Sequence, residues 1–216
     1  MSIKNRWTAA VALAAAAVVM LPAIPAGAHA GVLTRSPADG AVLWSSPTSA
    51  SVTFTETVTG TSRALIVVNR TGKVLSTGAS VSGSTATARV SSLRPARYAL
   101  IYDVTSEDGH RAHVASGFSV GVTDPASRSR AVQVGGYSVR LSGDRVGTRT
   151  ITLPWANAIG EITWTYKGIP GPFTWTISRG QASGMLPFAG TYTVRVNAFT
   201  SVSQNYAFIG TVRITA

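Results

Sequence analysis

From residue 29 to the C-terminus, short β-branched and aromatic runs alternate with polar residues, and Gly, Pro, Ser and Thr punctuate them. A period of two is the spacing at which side chains share one face of a strand, and no run here holds the 3.6-residue period of a helix. In the first half the pattern predicts strands over 51–58, 64–69, 85–90, 98–104 and 115–122. Turns fall between them at Pro37-Ala38-Asp39-Gly40, Asn69-Arg70-Thr71-Gly72 and Leu93-Arg94-Pro95, residue types that supply the backbone angles turns require. The second half repeats the signature over 137–141, 148–153, 162–166, 173–177, 192–199 and 206–214. Residues 123–130, with Asp124-Pro125 and two serines, carry no hydrophobic pattern and read as a linker. The expected fold is all-β: two small immunoglobulin-like β-sandwich domains, 29–122 and 131–216.

An internal echo supports that division. Leu93-Arg94-Pro95-Ala96-Arg97-Tyr98 and Pro187-Phe188-Ala189-Gly190-Thr191-Tyr192 each lead a turn into a strand that opens on tyrosine. In immunoglobulin-like sandwiches a tyrosine at such a corner hydrogen-bonds back to the preceding loop, and both are expected to do so. Ile162, Trp164 and Tyr166 alternate with threonines, as do Phe173, Trp175 and Ile177, which predicts a core face rather than a carbohydrate platform.

The first 28 residues differ from the rest. Lys4 and Arg6 precede an apolar run at 9–21, too short to span a bilayer comfortably, and Ala26-Gly27-Ala28 offers the small residues a signal peptidase accepts. The expectation is a signal peptide over 1–28 and an extracytoplasmic protein (periplasmic, envelope-bound or secreted) beginning at His29. Cysteine is absent, which excludes disulfides and thiolate metal sites. Of three methionines only Met185 remains after cleavage, so a methionine-rich copper(I) site is excluded as well. Loss of Lys4 and Arg6 leaves 17 basic residues against 8 acidic ones, a net charge of +9. That balance suits an anionic cell-envelope surface; export and the lack of a basic, aromatic-interleaved cluster argue against nucleic acid.

The histidines carry the candidate chemistry. There are three, His29, His110 and His113, and the last two lie in or beside Ser106-Glu107-Asp108-Gly109-His110. Asp108-Gly109 between two strand-like runs is a hairpin signal in its own right. Cleavage after residue 28 would give His29 a free amine, with a reference pKa of about 7.7 to 8.0, that can chelate a metal together with its own imidazole. With the Asp108 carboxylate and the His110 imidazole the set is three nitrogens and one oxygen, which suits one copper(II) ion, zinc being the competitor. Asp108 and His110 are two residues apart and point the same way in an extended chain. Val52, Phe54, Glu56 and Val58 share a strand face by the same counting, which places a carboxylate among core residues where it would hydrogen-bond a metal ligand; if instead the strand ends by Thr55, Glu56 is exposed. His113 has the opposite parity to His110 and is expected to face solvent.

These stretches resemble the CopC copper-resistance family. The likeness is carried by Ser36-Pro37-Ala38-Asp39-Gly40-Ala41-Val42, by Val52-Thr53-Phe54-Thr55-Glu56-Thr57-Val58, by the run from Tyr98 to His110, and by Phe118-Ser119-Val120-Gly121. It covers 29–121, about half of the chain after residue 28, and leaves the second half without a counterpart. The resemblance implies a Greek-key β-barrel or sandwich that binds copper in the periplasm or at the cell surface, with His29, Asp108 and His110 as copper(II) ligands and Glu56 as the nearby glutamate. Arg111, where the family often has proline, and Val114, where it usually has glycine, depart from the pattern. The function so implied is an exported protein that sequesters copper(II) or transfers it, in copper homeostasis or resistance, with the ion and a membrane copper transporter as partners. Two rivals stand beside it: a copper-dependent oxidative enzyme built on an N-terminal histidine chelate, and a wall-associated adhesion module. Asp108 in the fourth equatorial position leaves little room for oxygen, which favours carriage over catalysis.

Overall fold

The structure, a computed structural model, describes residues 30–201 and 204–216; the expected signal peptide and His29 lie outside the described residues. Every regular element described is a strand, as expected of an all-β chain. The first half holds β1 (Val32–Ser36), β2 (Val42–Leu43), β3 (Ser49–Phe54), β4 (Val58–Thr59), β5 (Leu65–Val68), β6 (Ser76–Ser82), β7 (Thr85–Val90), β8 (Ala96–Ser106) and β9 (Arg111–Val120). The second holds β10 (Arg130–Val134), β11 (Tyr137–Leu141), β12 (Gly147–Thr152), β13 (Ile159–Tyr166), β14 (Phe173–Ile177), β15 (Gln181–Leu186), β16 (Gly190–Ser201) and β17 (Gln204–Ile214).

Each half is a sandwich. In the first, the sheet β1-β3-β7-β6 faces β8 and β9 with β2, β4 and β5 along their edges; in the second, β10-β11-β12-β15 faces β14-β13-β16-β17. The inner sheets of the two halves are continuous, because β14 runs parallel to β9 and pairs with it at Phe173 and Ala115. Continuity gives β5 and β8 two buried faces. Leu65, Val67, Tyr98, Leu100 and Tyr102 enter the first core, while Ile66, Val68, Ala99 and Ile101 join the core of the second half around Trp164, Phe173 and Tyr192. Runs of apolar residues without alternation are what strands covered on both sides require.

Both tyrosine corners form. Tyr98 donates its hydroxyl to the Arg94 carbonyl at 2.6 Å, and Tyr192 donates to the Phe188 carbonyl at 2.8 Å while accepting from the Phe188 N–H at 3.2 Å. Trp164, Tyr166, Phe173 and Trp175 are buried, so the alternating aromatics form core. Between the halves, residues 123–129 have no regular structure but are bonded to both sides: Arg97 donates to the Thr123 carbonyl at 2.6 Å, and Asp124 accepts the Thr148 N–H at 2.7 Å. Asp39 adds a second tie, accepting the N–H groups of Gly117 at 2.8 Å and Met185 at 3.2 Å.

One predicted strand breaks. The run 51–58 is two strands, β3 and β4, with a bend between them, because after Phe54 the chain leaves β7 to pair with β8 at Ser106. Glu56 lies in that bend, half-buried between the exposed Thr55 and Thr57.

Candidate metal site at the hairpin tip

β8 and β9 are the longest pair of the first half, in register from Ala96 opposite Val120 to Thr105 opposite Arg111. Their tip is built by Ser106. Its N–H donates to the His110 carbonyl at 2.9 Å, its own carbonyl accepts the Gly109 N–H at 2.9 Å, and its hydroxyl donates to the Asp108 carboxylate. The Asp108 carboxylate also accepts the His110 N–H at 3.2 Å, a side-chain turn of the kind aspartate favours. Gly109 closes the turn at φ +85°, a left-handed angle that costs glycine nothing.

The tip brings together two of the three expected ligands. Asp108 Oδ2 and His110 Nδ1 stand 3.0 Å apart, both on exposed side chains. They converge through the turn and not through strand parity, because regular pairing stops before Asp108. Hydrogen bonding by Ser106, and next by His110, lowers the Asp108 carboxyl to a pKa of about 2, so it is a carboxylate throughout the physiological range. His29, the third ligand, lies outside the described residues. Among the described residues no group of three His, Asp or Glu side chains is placed to hold an ion. The described chain begins beside the tip: Gly31 exchanges hydrogen bonds with Thr55, and Ala30, itself buried, lines one cavity of about 610 Å³ with Arg111, Ala112 and His113.

His113 departs from expectation. It lies opposite Asp103 on the face of β9 that the second half covers, and its Nε2 is buried without a hydrogen-bond partner among the described residues. A Cβ on Gly171 would come within 2.8 Å of that nitrogen, so the ring packs against the β13–β14 connection and not against solvent. The parity argument chose the right face but left out what covers it. Arg111 was a bare departure from the family pattern in sequence; here it makes a two-pronged ion pair with Asp103, both N–O distances 2.6 Å. The hydrogen bond from Arg111 lowers the Asp103 carboxyl pKa. This pair clamps β8 to β9 directly behind the tip. Strand register would have found it, since Asp103 and Arg111 lie on adjacent strands one pair apart on the same face.

Comparison with known proteins bears on the same segment. Among solved structures, CopC from Methylosinus trichosporium OB3b is similar at 23% identity, over 43% of this chain and 93% of that one, with a TM-score of 0.39. Fibronectin(III)-like modules of Clostridium thermocellum CbhA align at 14% identity over 84% of this chain and 93% of theirs, TM-score 0.27. Dimeric latent PorU from Porphyromonas gingivalis aligns at 12% identity over 86% of this chain and 20% of its own, TM-score 0.27. No curated protein matches the chain. The family model for the CopC domain matches residues 32–121, the stretch that contains the hairpin and its tip. The match runs from Val32 to Gly121, less than half of the 216 residues.

Proposed function

We propose that this chain is an exported copper(II)-binding protein that sequesters the ion or passes it to a membrane copper transporter, as part of copper homeostasis or resistance. The observation that carries the reading is the Asp108–His110 pair at the tip of a hairpin within a CopC domain. Two donors at about 2 Å from one ion, at right angles, lie about 2.8 Å apart, close to the spacing of Asp108 Oδ2 and His110 Nδ1. His29, freed as the first residue by cleavage, supplies amine and imidazole from the side where Ala30 enters the fold. The cargo is one copper(II) ion. Glu56, in the bend below the tip, steadies a ligand by hydrogen bonding. A carboxylate in the fourth equatorial place makes this a carrier and not a catalyst. We also propose that 29–122 and 131–216 are two folding units joined by 123–130.

The test is copper(II) titration of the chain beginning at His29, followed by electron paramagnetic resonance and calorimetry. The expected spectrum reports three nitrogens and one oxygen. His29→Ala or His110→Ala lowers affinity by orders of magnitude, one extra residue ahead of His29 weakens it, and His113→Ala leaves it unchanged. Equal losses from all three alanine variants would overturn the ligand assignment, and undiminished affinity with the extra residue would remove the amine.

A further inference from the structure

At the end of the molecule away from the hairpin tip, the fold assembles a surface that the sequence scatters. β8 is 11 residues long, about 33 Å at the rise of a strand, and separates Asp108 beyond its last residue from Arg94 before its first. Strand directions bring other loops to the Arg94 end. β5 is antiparallel to β8 with Val68 opposite Ala99, so Asn69, Arg70 and Lys73 emerge there. β2 is parallel to β9 with Leu43 opposite Val120, which delivers Trp44. The Trp44 loop is tied to the Arg94 loop, since the Leu93 N–H donates to Ser46 Oγ at 2.8 Å.

Two adjoining grooves open on this end, of about 780 Å³ and about 520 Å³, and both are lined by Arg70 and Arg97. Lys73 and Arg94 line the smaller one, Trp44 the larger, and among the described residues no aspartate or glutamate lines either. Asp124, in the segment that borders the larger groove, is already engaged by Arg97 at 3.7 Å, and the Ala216 carbonyl accepts from Arg145 at 2.7 Å. Arg70 is held in place by its Nε donating to the Tyr166 hydroxyl at 3.1 Å. Trp44, which lines the larger groove with Arg70 and Arg97, is 79% exposed, and Val42, two residues before it in the chain, is also exposed.

An indole left in water beside Arg70, Lys73 and Arg94, which make no ion pair among the described residues, suits a boundary that is apolar on one side and negatively charged at its rim. We propose that this end docks on an anionic bilayer, with Trp44 at headgroup level and Arg70, Lys73 and Arg94 on the lipid phosphates, and the Asp108–His110 hairpin turned away from the membrane. A polyanion without rings or apolar parts, such as polyphosphate, would use the cations and leave the indole without a role, and export argues against nucleic acid.

The test is flotation of the chain beginning at His29 with vesicles of phosphatidylcholine containing about one-third phosphatidylglycerol, against phosphatidylcholine alone. Binding is expected only to the anionic vesicles and is lost at high salt. At roughly fivefold per cation, Arg70→Gln, Lys73→Gln and Arg94→Gln together lower partitioning about a hundredfold. Trp44→Ala, on an exposed side chain that leaves the fold intact by circular dichroism, lowers it severalfold. The chain has no cysteine, so Ser45→Cys and Glu107→Cys each provide a unique attachment site for a fluorophore. Headgroup-quencher lipids should quench the label at position 45 and spare the one at 107. Equal binding to neutral vesicles, no binding at all, or full binding by Trp44→Ala would overturn the proposal, and equal quenching at the two positions would overturn the orientation.

Discussion

Tyr192→Phe removes a single oxygen from the most enclosed corner of the fold, so its cost can be worked from the structure. Tyr192 is fully buried, and its ring packs among Trp164, Tyr166 and Phe173 with centroids 5.1 to 6.3 Å away. Phenylalanine keeps those contacts, leaving the hydroxyl's own bonds as the difference. That hydroxyl serves both main-chain groups of Phe188, itself buried, and burial raises its pKa so that it stays neutral. A buried main-chain group stripped of its partner costs about 1–3 kcal/mol, and two are stripped here. The open groove beside Phe188 admits water to part of the loop, which places the total at about 2–3 kcal/mol. Tyr98→Phe is the internal control: it strips one carbonyl, that of Arg94, and should cost about 1 kcal/mol. Urea unfolding followed by tryptophan fluorescence measures both. With a slope of about 2 kcal/mol per molar, the midpoint should fall by about 1 M for Tyr192→Phe and by about half that for Tyr98→Phe, with slopes unchanged. A Tyr192→Phe midpoint equal to wild type, or a smaller loss than in Tyr98→Phe, would refute the two-bond accounting.

Gly171→Ala should cost about 1–3 kcal/mol in thermal denaturation, because φ is +83° and the new Cβ would meet the His113 ring at 2.7 Å and Ile101 at 3.3 Å. Adding His113→Ala should recover the steric part and leave the backbone part, so additivity of the two substitutions would contradict the packing described. The Asp103–Arg111 pair should show in the pH dependence of the melting temperature. Its carboxyl pKa is lowered by folding, so the stabilisation is fully present above the unfolded value near 3.8 and is lost as pH falls through the lower folded value. The gap between wild type and Arg111→Gln should therefore close on acidification from about pH 6 to about pH 2; a gap that widens would mean another carboxylate governs the acid limb.

Much of this architecture was legible in sequence where one face of an element settles the question. The Asp108-Gly109 hairpin, the two tyrosine corners and the aromatic core of the second half each follow from local spacing. What escaped depends on what lies on the other side. Leu65-Ile66-Val67-Val68 read as a plain strand, although its lack of alternation already required cover on both faces. His113 reads as solvent-facing because nothing local announces the second half that covers its face. β6 and β15, rich in Ser, Gly and Ala, carry too little hydrophobic contrast to be read as strands, and are held by partners distant in sequence. Arg70, Lys73 and Arg94 look like singly dispersed surface charges until strand direction gathers them. At the candidate site, motif spacing singles out Asp108 and His110, which the turn brings to 3.0 Å of each other, whereas the part of Ser106 in shaping the turn shows only in the hydrogen bonds around it.

The two-sided burial of β5 and β8 bears on how the half that carries the hairpin can be handled at the bench. A stop codon after residue 122 would bare Ile66, Val68, Ala99, Ile101 and Ala115, a greasy flank directly behind the strands that carry the hairpin. Such a fragment would clump before it could be loaded with metal, and a poor titration from it would speak of stickiness and not of affinity. Shortened versions meant for spectroscopy need those five positions recoded as polar, or the C-terminal half left attached.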